Sequence, residues 1–450
     1  MSGMTILDSV TRRLAGWQQR YMRGVNFMYI LAVVIGVLTG ACAALLKWSI
    51  SAVRDFFLGI FNVSEGNYGF FILPVAGILL AVLVTRYVVR RPMDHATDRL
   101  IDGMKNNDND ISPRLIAGPI VACSITLGMG GSAGGEDPIA YTGAAIGSNV
   151  GKAFRLRQSD LAQLAGCGAA AGIAGIFMAP VGGVMYCLEV LAMRESLQSV
   201  IAVIFSSLAS ALTCFLIMGC HNDVTFMPVM TFEASMLPYV LLCGVVCGIY
   251  SAYYSTVMGR CYKWLRRFSG IWVKALAGGA FVSAVLFIFP SLYGEGYTMM
   301  AKLMADSPQA LVAYGPLYRL SERPDILLAL LGVLLLVKPF AVSATNDTGG
   351  VGGDFTPTFF CGAICGFIFA GVMNVCFDAH LSYAMFAFLG MAAVMSGAIQ
   401  APLMGIFIAA EMAGLYSFIL PLTVAAVTSF LTSYAFTRLR RPLGYLHGGK

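Results

Sequence analysis

Glu136 and Asp137 follow Gly134-Gly135 and precede Pro138, two carboxylates in an otherwise apolar neighbourhood. Asp354 holds the analogous place in a second stretch, after Gly352-Gly353 and before Phe355-Thr356-Pro357. The glycines continue upstream of both, five within residues 126–137 and four within residues 343–354. Such runs read as unwound backbone, and each leads into an apolar segment whose Pro138 or Pro357 suits the first turn of a helix. Unwound backbone at membrane depth is tolerated where it is buried in protein or lines a wet cavity. A helix N-terminus presents free N–H groups and about half a positive charge. Two such ends that converge make a site for a small anion, such as a halide or nitrate, without any full positive side chain.

Glu136 lies where that anion would bind. One reading makes it a gate that occupies the site, competes with the anion and swings away when protonated; the other makes Glu136 and Asp137 caps of the helix beginning at Pro138. For Asp354 the favoured reading is a cap, because Asp before Phe355, Thr356 and Pro357 is a good N-terminal signal. Lys338 precedes the second break in an apolar helix, where snorkelling is the plain explanation and partial neutralisation of a nearby acid the sharper one. Glu189 and Glu411 close two repeated apolar phrases and read as structural.

Other chemistries find little support. His95, His221, His380 and His447 are scattered over expected loops and ends, and only His95 with Asp98 forms a pair worth testing as part of an enzyme. Cys42, Cys123, Cys167, Cys187, Cys243 and Cys247 lie in apolar, small-residue stretches, and no CxxC spacing occurs. Cys361 and Cys365 share one expected helix, but the nearest histidine, His380, sits in a separate loop. No metal and no cofactor is expected.

The elements that must position these residues are apolar helices. Of 450 residues, 58% are hydrophobic and 12% charged, about half the charge of an ordinary soluble domain. Spans are expected near 26–60, 68–91, 112–128, 136–152, 158–178, 180–193 and 199–219, then 235–265, 271–290, 324–342, 355–373, 381–396, 401–413 and 416–437. Some reach the roughly 20 residues a crossing needs and others fall short, which fits tilted and broken helices. Residues 166–189 are echoed by 390–411, with Ala179-Pro180 and Ala401-Pro402 in step and Glu189 and Glu411 at the ends. Paired Gly/Pro interruptions in two halves point to a shared site at a repeat interface. The expectation is an all-α polytopic membrane protein, one transport domain over 1–450, with a cytoplasmic surface helix at 1–24, a first repeat at 25–220 and a second repeat at 235–447. No regulatory domain is expected after the last span.

The formal charge of +6 is not read as nucleic-acid binding, because the basic residues cluster at expected membrane exits, as at Arg86/Arg90/Arg91 and Lys263/Arg266/Arg267. No secretory signal is evident: Arg12, Arg13, Arg20 and Arg23 interrupt the first 25 residues.

These residues resemble the chloride channel and transporter (CLC) family over nearly the whole chain. The family's Gly-Arg/Lys-Glu-Gly-Pro motif is similar to Gly134-Gly135-Glu136-Asp137-Pro138, and its Gly-X-Phe-X-Pro element to Gly353-Asp354-Phe355-Thr356-Pro357. The Ala-Pro helices and Ile419-Leu420-Pro421 also match. The resemblance implies an inverted repeat of tilted, broken helices around an anion path, one path in each subunit of a homodimer. It implies Glu136 as the gate and Gly353, Asp354 and Phe355 as backbone donors to the anion. It implies Tyr445 in Arg441-Pro442-Leu443-Gly444-Tyr445 as a further contact, one place late.

The chain departs from the family in two places. The serine stretch falls near residues 94–99, where Ala96 takes the serine's place and Thr97 is a substitute hydroxyl. The second glutamate of proton-coupled members falls at Val190, which cannot carry a proton. The leading expectation is therefore gated, channel-like movement of chloride or another small monovalent anion in a bacterial-type inner membrane, with cytoplasmic termini and with voltage gating as the family implies. Anion/proton exchange through another inner acid and a fluoride-selective variant are the alternatives. A membrane enzyme or a non-transporting scaffold explains less, because neither needs two matched broken helices.

Overall fold

The computed structural model describes residues 25–60, 69–91, 93, 96–106, 108–193, 196–219, 232–305, 307–313 and 315–440. The expected surface helix at 1–24, Tyr445, His95, His221 and His447 lie outside the described residues.

The first half runs α1 (Val25–Ile60), α2 (Gly69–Leu83), a π-helical turn (Val84–Val89), α3 (Ala96–Asn106), α4 (Arg114–Gly128), α5 (Glu136–Ala153), α6 (Gln158–Phe177), α7 (Pro180–Met185), a second π-helical turn (Tyr186–Val190) and α8 (Leu197–Ile217). The second half runs α9 (Leu237–Leu265), α10 (Ile271–Ile288), α11 (Tyr297–Met304), α12 (Pro324–Asn346), α13 (Phe355–Phe377), α14 (Tyr383–Ile399), α15 (Pro402–Ala413) and α16 (Ile419–Arg440). Among the described residues nine helices are long and apolar enough to cross a membrane. The segments Arg114–Gly128, Pro180–Val190, Tyr383–Ile399 and Pro402–Ala413 are apolar but shorter. They include the helix before the first break and both Ala-Pro helices, as broken spans require. Long helices leave large apolar side chains exposed, Ile30, Val34, Leu38 and Leu45 on α1 and Leu208, Leu212 and Leu216 on α8, a surface suited to lipid.

Two elements depart from the sequence reading. Residues 96–106 form α3, because Ala96 and Leu100 are buried one turn apart beneath a charged outer face. Residues 297–304 form α11, whose Tyr297, Met300, Leu303 and Met304 are buried at helical spacing.

The chain clusters into two compact units, whose boundaries fall inside α1 and α4 as well as between the sequence halves. Unit 1 comprises residues 1–49, 84–121 and 136–221, and unit 2 comprises residues 50–83, 122–135 and 222–450. In unit 1, α6 packs against α5, α7 and α8, and α3 packs on α5. A Cβ on Gly143 would strike the Gly168 carbonyl and one on Gly147 the Leu164 carbonyl, so small residues set the α5–α6 approach. In unit 2, α13 packs against α14, α16 against α9 and α14, and α2 against α10. There Gly362 and Gly366 meet the carbonyls of Gly390 and Phe386 in the same way.

The two Ala-Pro phrases fold alike. α6 ends at Met178 (φ 52, ψ 36) and α14 at Gln400 (φ 63, ψ 33), both left-handed. Ala179 (φ −123, ψ 83) and Ala401 (φ −129, ψ 80) then turn the chain into helices that begin with proline. The missing proline N–H costs nothing at that position, which lets one sequence phrase end a helix and start the next.

Candidate functional site

Within unit 2 the two glycine-rich breaks are bonded to each other. Gly134 N donates to Gly353 O at 2.9 Å and Gly353 N to Gly134 O at 2.7 Å, an isolated antiparallel bridge. Ser132 N donates to Thr345 Oγ1 at 3.0 Å, and Val351 N donates to Thr126 Oγ1 at 3.1 Å. Each threonine sends its own proton back into its helix, Thr126 to Ala122 O and Thr345 to Ala341 O. Gly131 N closes onto Thr126 O at 2.7 Å and Gly350 N onto Thr345 O at 3.0 Å. Gly130 (φ 100) and Gly349 (φ 123) make the left-handed turns that L side chains resist. All these pairs stand at one constant offset along the chain.

That offset corrects the alignment of the acids. It pairs Gly135 with Asp354 and Glu136 with Phe355, so Asp354 is not the counterpart of Glu136. Asp354 stands at the N-cap of α13 (φ −108, ψ −8), but its side chain caps no helix N–H. Its Oδ1 instead accepts from Asn346 Nδ2 at 2.9 Å, because a bridge-region backbone aims the carboxylate back across the loop. The Gly353 N–H is engaged by Gly134 O, so this candidate donor serves the bridge rather than an anion. Phe355 is buried as the first residue of α13, and Thr356 behind it shares a hydrogen bond with Tyr297 Oη at 3.0 Å.

Lys338 does not snorkel. It is 0% exposed, with Nζ donating to Ser132 Oγ at 2.9 Å and lying 4.9 Å from the Phe360 ring centroid. Ser132 Oγ passes its proton to Leu292 O at 2.7 Å, which leaves an oxygen lone pair facing the ammonium. The aromatic face adds a cation–π contact in a desolvated setting.

Unit 1 begins again at Glu136, the first residue of α5, which is 0% exposed. Asp137 is half-buried, and its Oδ1 accepts from Thr97 Oγ1 at 2.9 Å. Thr97 Oγ1 lies 3.3 Å from the hydroxyl of the fully buried Tyr186. Ala96, buried at the start of α3, brings only a methyl group, so Thr97 is the hydroxyl of this stretch. Val190 ends the second π-helical turn without an acid, and Glu189 beside it is half-buried. Glu411, in unit 2, accepts from Tyr416 Oη at 2.8 Å. His380 is exposed beside Asp378 in a loop, as expected.

Unit 1 also holds a polar cavity of about 550 Å³, lined by Arg91, Arg99, Asp108, Asp110, Tyr141 and Lys152 among others. Lys152 is tied to Asp110 at 2.6 Å, and Glu136, Asp137 and Thr97 are not among the lining residues. Sequence reasoning missed the crossed pair Thr126 and Thr345, the tie of Ser132 to Lys338, and Tyr186. The signal for the threonines was present: both precede their glycines at the same steps.

Comparison with known proteins follows the same lines. The family model described as "Voltage gated chloride channel" matches residues 76–434. The H(+)/Cl(-) exchange transporter ClcA of Salmonella arizonae is 26% identical over 417 residues, covering 89% of this chain and 84% of the relative. A putative chloride channel protein ClcB-like of Ralstonia nicotianae is 26% identical, covering 81% of this chain and 82% of the relative. Among solved structures, a slow cyanobacterial Cl−/H+ antiporter gives a TM-score of 0.78 at 18% identity, covering 92% of this chain and 95% of that one. A CLC-type fluoride/proton antiporter gives 0.74 at 21%, covering 91% and 96%. These structures share the fold of tilted, broken helices described above. On the extent of the family match, on its fold and on its paired breaks, this multi-pass membrane protein belongs to the voltage-gated chloride channel (CLC) family.

Proposed function

We propose that the protein moves a small monovalent anion, chloride first, across a bilayer in exchange for protons, with Glu136 as the gate. The observation that carries this reading is a fully buried carboxylate at the first position of α5, directly after a break that is bonded to its counterpart through Gly134 and Gly353. A carboxylate there competes with an anion for the same helix N-terminus, and protonation withdraws it, which links anion passage to proton uptake. Relatives named for H(+)/Cl(-) exchange and fold neighbours named for Cl−/H+ and fluoride/proton antiport support the coupled form over the channel-like one. The backbone N–H groups of Asp354 and Phe355 are the proposed donors at the start of α13, and Tyr445 is a further proposed contact. The single transport domain with two inverted repeats, the homodimer with one path per subunit, the inner-membrane location and the cytoplasmic termini belong to the same proposal.

A passive, gated channel is the second reading, favoured by Val190, where no inner acid stands. Liposomes loaded without an anion gradient separate the two. An imposed pH gradient drives chloride uptake against its own gradient if exchange operates; a channel gives none, and its reversal potential ignores pH. The same assay with fluoride in place of chloride tests selectivity, which the altered stretch at Ala96 and Thr97 leaves open.

A further inference from the structure

The gate reading uses Glu136 and leaves its neighbour Asp137 without a task, while Val190 offers no inner acid. We propose that Asp137 is a second titrating acid of the anion path, whose ionised carboxylate holds the hydroxyl donors of Thr97 and Tyr186 that a passing anion takes when Asp137 is protonated. The inference rests on the anion-transport reading and deepens it.

The argument starts from proton counting. Thr97 Oγ1 has one proton and gives it to Asp137 Oδ1 at 2.9 Å. In the 3.3 Å pair of Thr97 Oγ1 with the Tyr186 hydroxyl, the tyrosine must then be the donor. The hydroxyls form a series, Tyr186 to Thr97 to Asp137, with every proton pointing toward negative charge. A halide in place of the carboxylate needs the same orientation. Tyr186 is fully buried, which keeps water from substituting for its hydroxyl, while Thr97 and Asp137 are half-buried.

Two negative charges cannot share these donors in a poorly solvated place. The anion enters when a hydronium ion protonates the Asp137 carboxylate; one O–H bond forms on the acid, one breaks on the hydronium, which leaves as water, and the neutral acid becomes a donor itself. Successive helix residues differ by about 100° in direction, so Glu136 and Asp137 meet different surroundings and can titrate as separate stations. Its titratable neighbours include Glu136, adjacent in α5, and Tyr186 of the second π-helical turn, reached through Thr97. Asp98, Asp137 and Cys187 are all coupled electrostatically to Tyr186.

The test removes the gate's own titration first. In full-length Glu136→Gln protein, chloride and fluoride binding are measured by titration calorimetry at about pH 7.5 and about pH 4, bracketing the ordinary carboxylate range. The affinity is expected to rise at least about fivefold at the lower pH. In Glu136→Gln/Asp137→Asn it is expected to hold the higher value at both. Asparagine keeps the shape and an oxygen for Thr97, so a merely structural Asp137 would leave the pH dependence as it was. Asp137→Ser gives the same readout should asparagine fold poorly, and Thr97→Val on either background is expected to weaken anion binding at both pH values. Equal pH dependence with and without Asp137 overturns the inference while wild-type flux keeps the transport reading. Absence of anion flux from wild-type liposomes overturns both.

Discussion

Thr126 and Thr345 perform one task in the two breaks, each accepting a backbone N–H from the other break and returning its proton to its own helix. One step later the breaks part company. Ser132 carries a hydroxyl tied to Lys338, whereas its counterpart Val351 carries an apolar side chain. The contrast continues: the first break leads to Glu136 and Asp137, the second to Phe355 and Thr356. The crossed bonds teach that the backbone was duplicated because both unwound segments need the same internal satisfaction. The differences set the two acids that follow the first break against an aromatic ring and a hydroxyl that follow the second.

The crossed threonines give the largest expected effect. Thr126→Val strands the buried Val351 N–H, and Thr345→Val strands that of Ser132. Each is expected to cost about 1–3 kcal/mol, read from denaturant unfolding in detergent. Because the geometry is duplicated, the two losses should match within about 1 kcal/mol. A large loss at one and none at the other would break the equivalence of the two breaks.

Glu136→Gln removes the charge that the second break lacks. Anion flux into liposomes is expected to rise about tenfold near neutral pH, and its pH dependence to flatten, since a neutral side chain no longer competes for the helix N-terminus. Flux and pH response identical to wild type would return Glu136 to the role of a cap.

Lys338→Met sharpens the contrast between Ser132 and Val351. At an effective dielectric near 20, a unit charge about 10 Å from an anion is worth about 1–2 kcal/mol, so chloride affinity should fall on the order of tenfold if the anion binds at that range. Lys338→Arg should recover most of it. Unchanged affinity would make the residue a packing element of α12.

Much of this was legible because unusual backbone demands particular residues. Glycine before proline marked both breaks, and the two Ala-Pro phrases marked the helix ends, where geometry leaves few choices. Glu136 stands out in the sequence as an acid inside an apolar chain, and the structure buries it at the first position of α5. What failed was tertiary. Lys338 reads as a snorkelling side chain in any sequence, since only the fold reveals that Ser132 and Phe360 cover its ammonium. α3 was hidden because Thr97, Asp98, Arg99 and Asp102 outweigh the two buried residues that place it. The register failed by one step, because Asp354 resembles Glu136 in charge while Phe355 replaces it in position.

That one step yields the smallest and most discriminating expectation. If Asp354 matches Gly135, its carboxylate belongs to the loop and answers to Asn346. Asp354→Asn retains an oxygen that can accept from Asn346 Nδ2 and removes one charge from a half-buried site. Stability should change by about 1 kcal/mol or less, the loss being that of one charge-assisted bond replaced by a neutral one. Chloride-to-nitrate selectivity in liposomes should stay within about twofold of wild type, because the backbone N–H groups at the start of α13 are untouched. A several-fold rise in anion flux would place the charge of Asp354 beside the anion, and would make it a second acid of the path in spite of its register.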